Sequence, residues 1–471
     1  YNAGDNYHSG NDYNVYVGAS SGNANKFADY ITYIGYAAGN DGTGNYGTSV
    51  GAYSMSDGNH YTSTAVGYDA LGNTSTSNPY YNACFGAYSG NGIYSGDGNT
   101  NLGYNTGVIS NADSYTLCVG YQARSSPYTV SIGYQAMGSA ADNSDTNVCI
   151  GSQAGYDMAG GDNSVLIGYR AGYNANLQYN IGIGFNAFYD TAAGSYSTAI
   201  GREAMYSASG NGIYNLCVGD RAGRDLDGGD NNTFIGNESG FSGGSGDGNT
   251  ACGKSTFYDL TSGAYNSAFG SDALGNLTSG DLNVGVGGAT GYNLTTGDNN
   301  TFVGQRAGYM QNTSTANALT TGSNNTYLGY EAYPSSATAT NEITLGNNSI
   351  TSLRCNVQTI SSLSDERDKT AIEDLPYGLN FINDMRPVQF TWNRRDGSLG
   401  ATPDMGFIAQ DLYDVELTHS SASRTRLVKW ESPEKLEADY VRSYPILVKA
   451  VQELSAKVDA LTARITALEG E

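Results

Sequence analysis

Histidine occurs three times in 471 residues, tryptophan twice and proline eight times. With only His8, His60 and His419 available, Ser-His-Asp catalysis and histidine-ligated metal sites are poorly supplied. Positive charge is also scarce, 22 Lys and Arg against 45 Asp and Glu, for a net charge of −23. That balance disfavours nucleic acid, whose phosphates demand clustered cations, and anionic membrane surfaces too. No stretch approaches the ~18 apolar residues of a membrane span, so no membrane insertion is expected. No basic-plus-apolar leader opens the chain, and the start at Tyr1 implies that an upstream part is missing.

What is abundant is glycine, 65 residues, and tyrosine, 39 residues. Glycine without a Gly-X-Y triplet is not collagen. A core of Asn-x-x-apolar-Gly-x-x-Ala/Ser recurs instead, and its central glycines run from Gly18 and Gly35 to Gly329 and Gly346. Eleven of the nineteen spacings between them are 17 residues. One unit reads as a short alternating strand (Asn300 to Val303), the glycine, a second short segment (Gln305 to Ala307) and a turn rich in Gly, Asp and Asn. Such a unit cannot bury a core alone, whereas stacked units pair their backbones and align their apolar slots.

The fold class expected is therefore an all-β repeat solenoid, a parallel β-roll of about 17 residues per coil over residues 1–346. The long interval from Gly304 to Gly329 implies a loop at residues 309–323. Twenty coils at the ~4.8 Å strand spacing would make a rod of roughly 95 Å. A triangular hexapeptide helix would show three apolar signals per coil, and one strong and one weak are present; calcium rolls repeat every nine residues. The Asn-x-x-apolar-Gly-x-x-Ala pattern resembles the head domains of trimeric autotransporter adhesins, which implies left-handed rolls in trimers.

Several chemical signatures inside the repeat have plain structural readings. Gly248 to Ser255 spells the phosphate-loop motif GxxxxGK[ST], but no helix is expected after it, and Gly253 is simply the repeat glycine. Cys84, Cys118, Cys149 and Cys217 lie two positions before a repeat glycine and Cys252 one before, as small core hydrophobes would. Tyr36, Tyr68, Tyr104, Tyr121, Tyr134, Tyr169 and Tyr330 follow the glycine, and ladders of them can pack on one another or present sugar-stacking surfaces. Carboxylates such as Asp162, Asp230 and Asp298 fall in turns. No metal site and no cofactor is indicated.

Beyond a linker at residues 347–363 the composition changes. Nine Lys and Arg serve the first 363 residues and thirteen serve the last 108. In order come Ser364-Asp365-x-Arg367-x-Lys369, Leu375-x-x-Gly378-Leu379, Met385-x-Pro387-Val388-x-Phe390, the run Gly406 to Asp411, and Pro445-x-Leu447 to Leu454. These motifs resemble the endosialidase-type intramolecular chaperone, the self-cleaving C-terminal module of phage tail fibres and spikes; Tyr444 stands where an aliphatic residue is usual. The resemblance covers residues 364–471 and implies a small α+β domain whose catalytic dyad is Ser364 and Lys369, cleaving between Leu363 and Ser364. A serine hydroxyl needs a base, and a lysine serves only once burial or nearby positive charge lowers its pKa. Arg367 would help by repulsion, while Asp365, Glu366 and Asp368 oppose it. The chain closes (about residues 445–469) in a heptad in which Leu447, Leu454, Leu461 and Leu468 alternate with Val451, Val458 and Ile465. β-branched residues at a with leucine at d lean towards a dimer; the family resemblance implies a homotrimer.

The function expected from all this is a phage tail fibre or spike of the virion, extracellular, that attaches to a bacterial surface polysaccharide or outer-membrane receptor and joins other tail proteins. Its enzymatic activity would be confined to self-cleavage. A polysaccharide-degrading spike would need clustered carboxylates on a groove. A cellular trimeric adhesin would need a membrane anchor, which the C-terminal segment does not resemble.

Overall fold

The computed structural model describes the chain except residues 1–2, 4–12, 24–27, 42–43, 73–77, 94, 109–113, 141–143, 159, 192–193, 209, 310–317, 355–363, 394–402, 420–425, 433–434 and 471. It divides into two units, Tyr1–Leu345 and Gly346–Glu471.

The first unit is a parallel β-solenoid. Twenty three-residue strands, one per coil from Val15–Val17 to Ile343–Leu345, join in chain order into a single parallel sheet. The register never slips: Thr250, Ala251 and Cys252 lie over Ser267, Ala268 and Phe269, which lie over Val284, Gly285 and Val286. One cause is a ladder of buried amides beside the strands. The Asn266 side-chain oxygen accepts from the Asn283 backbone N–H at 2.8 Å and from the Asn283 amide at 3.1 Å. Its own amide donates to the Gly280 carbonyl at 2.8 Å. The same bonds recur at Asn232, Asn249, Asn283 and Asn300, and a one-residue slip would orphan them all.

Inside most coils two positions share one compartment, and their sizes are reciprocal; Gly285 with Gly291 and Tyr327 with Tyr333 depart from this. In the regular coils, where the residue two before the repeat glycine is large, the residue four after it is glycine: Tyr33 with Gly39, Leu166 with Gly172, Phe234 with Gly240, Phe302 with Gly308. Where the first is small the second is large: Ser49 with Met55, Ala65 with Leu71, Gly182 with Phe188, Ala251 with Phe257. A Cβ on Gly182 would press on the Phe188 ring. Close packing within these narrow coils allows only one large side chain per compartment.

The corners are built from left-handed backbone. The residue two after the repeat glycine has positive φ at Gln153 (58°), Arg170 (52°), Glu238 (55°) and Arg306 (57°). The residue before the ladder position does likewise at Tyr196 (57°) and Asn299 (58°). The repeat glycine itself is irreplaceable: Gly253 has φ +145°, and a Cβ there would run into the Gly270 carbonyl.

The structure corrects several expectations. The most regular apolar signal, the residue just before the repeat glycine, points out of the coil; the buried neighbour is the residue before that, as in the intermediate–buried–intermediate strand Val148–Ile150. Cys252 accordingly is exposed, whereas Cys84, Cys118, Cys149 and Cys217 are buried, and burial pushes the Cys84 and Cys149 thiols up to about 12. The second short segment is no strand; it is a run of turns whose N–H groups still reach the neighbouring coil, as from Arg170 to the Ser152 carbonyl at 3.0 Å. Residues 310–317 of the expected loop lie outside the described residues, but its neck closes through Leu319 N–H to the Gly308 carbonyl at 3.3 Å. One expectation holds: the phosphate-loop letters start no helix, since Thr250–Cys252 is a strand and the following residues are turn.

The second unit is small and mixed. Helix α1 (Leu379–Asp384), the antiparallel pair Pro387–Thr391 and Pro403–Phe407, helix α2 (Ala409–His419) and the antiparallel pair Val428–Ser432 and Lys435–Ala438 precede a long helix α3 (Ser443–Glu469). Phe381, Met385, Leu412, Val415, Leu427, Val428 and Ile446 form its core. The Glu453 carboxylate on α3 caps α1 by accepting from the Leu379 N–H at 2.8 Å. Only Ile446 and Ala450 of α3 are buried.

Candidate functional site

Ser364 and Lys369 are brought together by a single 3-10 turn, Glu366–Asp368. Asp365 caps that turn by accepting from the Arg367 N–H at 2.9 Å, and Lys369 follows it. Five residues of separation across one tight turn return the lysine side chain over the serine. The Lys369 ammonium donates to Ser364 Oγ at 2.7 Å and to the Ser364 carbonyl at 3.0 Å. A deprotonated amine in the same place would accept the hydroxyl proton instead, which is the contact a general base needs. Leu363, the other side of the expected cleavage point, lies outside the described residues.

The charges around the pair are arranged differently from the expected balance. Arg367 is not free to repel the ammonium: its guanidinium grips the Asp365 carboxylate through bonds of 3.0 and 2.6 Å. The hydrogen bonds from the Arg367 side chain and backbone hold the Asp365 carboxyl below the usual aspartate value, and the carboxylate raises Arg367 in return. Asp365 and Arg367 therefore cancel locally. Ser364 and Lys369 are both exposed, and the contact between them is formed.

Elsewhere the candidate chemistry is used for structure. Asp162, Asp230 and Asp298 each cap the coil before their own, accepting from the backbone N–H of Asp145, Ile213 and Asp281 at 2.8 Å. Burial, with Asp162 adding, raises the Asp145 carboxyl above the usual range. His60 is buried, which lowers its pKa to about 4; His419 sits 2.6 Å from Asp384; His8 lies outside the described residues. The tyrosines do form ladders: Tyr104, Tyr121 and Tyr134 stack at 5.3 and 5.4 Å, and Tyr169 stacks on Phe185. Further ladders escaped the sequence reading, among them Tyr156–Tyr173–Tyr189–Tyr206 and Tyr179–Tyr196–Tyr214, with centroids 5.0 to 5.2 Å apart. Rings stacked one coil apart cover one another's faces, so these columns offer mainly edges and hydroxyls to solvent.

Comparison with known families falls on this region. Residues 364–419 match the model of the family described as the chaperone of endosialidase. The match begins at Ser364 itself and covers the turn, α1, the first strand pair and α2. No curated protein and no solved structure matches the chain. The chain thus carries an endosialidase-chaperone-like segment after a β-solenoid. No helix among the described residues is long and apolar enough to cross a membrane.

Proposed function

We propose that this chain is the fibre or spike of a phage tail, extracellular and homotrimeric, that attaches to a bacterial surface glycan or outer-membrane receptor. Its C-terminal unit acts as an intramolecular chaperone that starts the solenoid and is then released by self-cleavage before Ser364. The observation that carries the reading is the 2.7 Å Lys369–Ser364 contact at the first residue of the chaperone match. In the cleavage step Lys369 takes the Ser364 hydroxyl proton, Oγ attacks the carbonyl carbon of Leu363, and the C–N bond gives way to an ester as the proton passes to the freed amine. Water then hydrolyses the ester to the Leu363 carboxylate and the Ser364 hydroxyl.

Two apolar faces support self-association. On α3 the heptad residues Leu447, Val451, Leu454, Val458, Leu461, Ile465 and Leu468 all stay exposed, although a helix serving only its own unit would bury them. On the solenoid the twenty residues before the repeat glycines, from Val17 to Leu345, are all apolar and none is buried. That stripe runs ~95 Å at one residue per coil, far beyond the apolar patches monomers ordinarily expose.

The test is the intact mass of the purified protein. Wild type is expected to split after Leu363, whereas Ser364→Ala and Lys369→Ala should each stay at the full 49.3 kDa. Unchanged cleavage in either variant would remove the dyad. The degrading-spike alternative gains nothing from Asp162, Asp230, Asp247 and Asp298, each of which accepts from a backbone N–H of the coil before its own.

A further inference from the structure

One coil stands apart from the rest as the shortest. From Gly120 to Gly133 the repeat takes 13 residues instead of 17. The position four after the glycine, in most coils a glycine or a buried apolar residue such as Met137, Phe188 or Leu274, is here the charged Arg124. Arg124 is exposed and extended, and it pairs in parallel with Gly107 in a two-residue bridge. Where a regular repeat does break its own rule, the site is a candidate for function.

The shortened coil leaves a groove of about 410 Å³, lined among others by Asn91, Asn105, Gln122, Arg124, Gln135 and Tyr156. Its polar groups are ordered. The Gln153 amide donates to Gln135 at 3.3 Å and the Gln135 amide donates to Gln122 at 3.0 Å, so the run ends at Gln122 with its own N–H₂ unused among the described residues. The Asn105 side chain and the Arg124 guanidinium also have no partner there. The other arginines of the solenoid are committed: Arg202, Arg221, Arg224 and Arg306 lie 2.8 to 3.2 Å from carboxylates, and Arg170 donates to Gln153 at 2.9 Å. Tyr156 heads its aromatic ladder, and Gly138 makes room for the ring, since a Cβ there would crowd it.

We propose that this groove binds a short acidic oligosaccharide, the carboxylate of one sugar on Arg124 and its hydroxyls on the amides of Gln122, Asn105 and Gln135, with Tyr156 bounding the site. The inference rests on the attachment reading above. A guanidinium fork matches a carboxylate in two parallel hydrogen bonds, and side-chain amides supply both the donors and the acceptors that sugar hydroxyls need. A single cation lining the groove, in a chain of net charge −23, suits a monoanion better than a dianionic phosphate. The volume lies within the ~300–1,000 Å³ of small-ligand sites.

The experiment puts the full-length assembled protein on a glycan array carrying oligosaccharides with uronic or nonulosonic acids, the methyl esters of the same glycans, phosphorylated glycans and neutral ones. Binding is expected on carboxylated members at least tenfold above their esters. Arg124→Ala should weaken it at least tenfold, Gln122→Ala at least threefold and Arg124→Lys less than Arg124→Ala, all with the wild-type melting temperature. No bound carboxylated member, equal binding of acid and ester, binding of phosphorylated glycans alone, or an indifferent Arg124→Ala would each overturn the site. Adsorption to a panel of bacterial cells separates the two claims. Adsorption that Arg124→Ala leaves unchanged sinks the groove and spares the attachment reading, whereas a wild type that adsorbs to no cell sinks the attachment reading itself.

Discussion

Replacing Asn266 tests the amide ladder at one rung. Asn266→Ala removes the acceptor of the Asn283 backbone N–H, held at 2.8 Å, and the donor to the Gly280 carbonyl, also at 2.8 Å. Both groups are buried, and an orphaned buried polar group costs about 1–3 kcal/mol, so the local loss should be about 2–6 kcal/mol. Serine should cost far less. In a coil that already uses it, Ser164 Oγ accepts from the Asn180 N–H at 3.2 Å and donates to the Leu177 carbonyl at 3.1 Å, serving the same two kinds of group. Aspartate should be worst, since its second oxygen would face the Gly280 carbonyl and the Asn249 side-chain oxygen, at the 2.8 and 3.1 Å now bridged by N–H groups. Native-state hydrogen exchange of the peptide containing Asn283 reads the effect directly. At about 1.4 kcal/mol per tenfold, protection should fall at least tenfold for alanine and further for aspartate, with serine near wild type. Equal protection in the serine and alanine variants, or an aspartate variant as protected as wild type, would refute the ladder's role.

Gly253→Ala should block the coil stack locally, because φ +145° and the Gly270 carbonyl both exclude a Cβ; a variant that keeps wild-type melting and exchange around residues 250–270 would contradict this. Leu454→Asp with Leu461→Asp should dissociate the assembled protein in sedimentation experiments, and a wild type that sediments as a monomer would end the self-association argument. Stability should rise as the pH falls from about 7 towards 4.5: desolvation, with neighbouring aspartates adding, raises Asp57, Asp69 and Asp145, so their unfavourable ionisation in the fold is relieved as pH drops through their folded pKa values towards the ordinary aspartate value. Glu331 acts the other way, because hydrogen bonds from Tyr330, Tyr333 and Arg306 outweigh its desolvation and lower it, and its contribution is lost below the ordinary glutamate range. A melting temperature that falls steadily from pH 7.5 to 4.5 would show that the raised aspartates do not dominate.

The period, the parallel stacking and the position of the repeat glycine were legible because each follows from local backbone needs repeated at fixed spacing. The inside and outside of the coil were harder. A core that alternates Phe234 with Gly240 and Ala251 with Phe257 conserves volume across two positions, so neither column alone looks apolar. The outward column, from Val17 to Leu345, carries no such trade and dominates the pattern. The nearness of Ser364 to Lys369 could be suspected from five intervening steps of chain, but Arg367 could not be assigned: its distance from Lys369 suggests repulsion, and only the fold reveals that Asp365 takes up the guanidinium.

The same geometry gives the proposed detachable starter a physical reason. Each coil holds non-glycine residues such as Gln153 and Tyr196 in left-handed backbone, which costs roughly 1–2 kcal/mol apiece. Those costs are offset only by bonds to a neighbour: Gln153 N–H to the Tyr134 carbonyl at 2.8 Å, Tyr196 N–H to the Gln178 carbonyl at 3.0 Å. A first coil bears the strain with no neighbour on one side, and every later coil adds to an existing edge, so initiation is the slow step and growth is downhill. Under the proposed function, an oligomeric C-terminal unit that gathered chain ends would address initiation alone. Once the stack was complete that unit would have no further stabilising role, which is the point at which the proposed cleavage before Ser364 would release it.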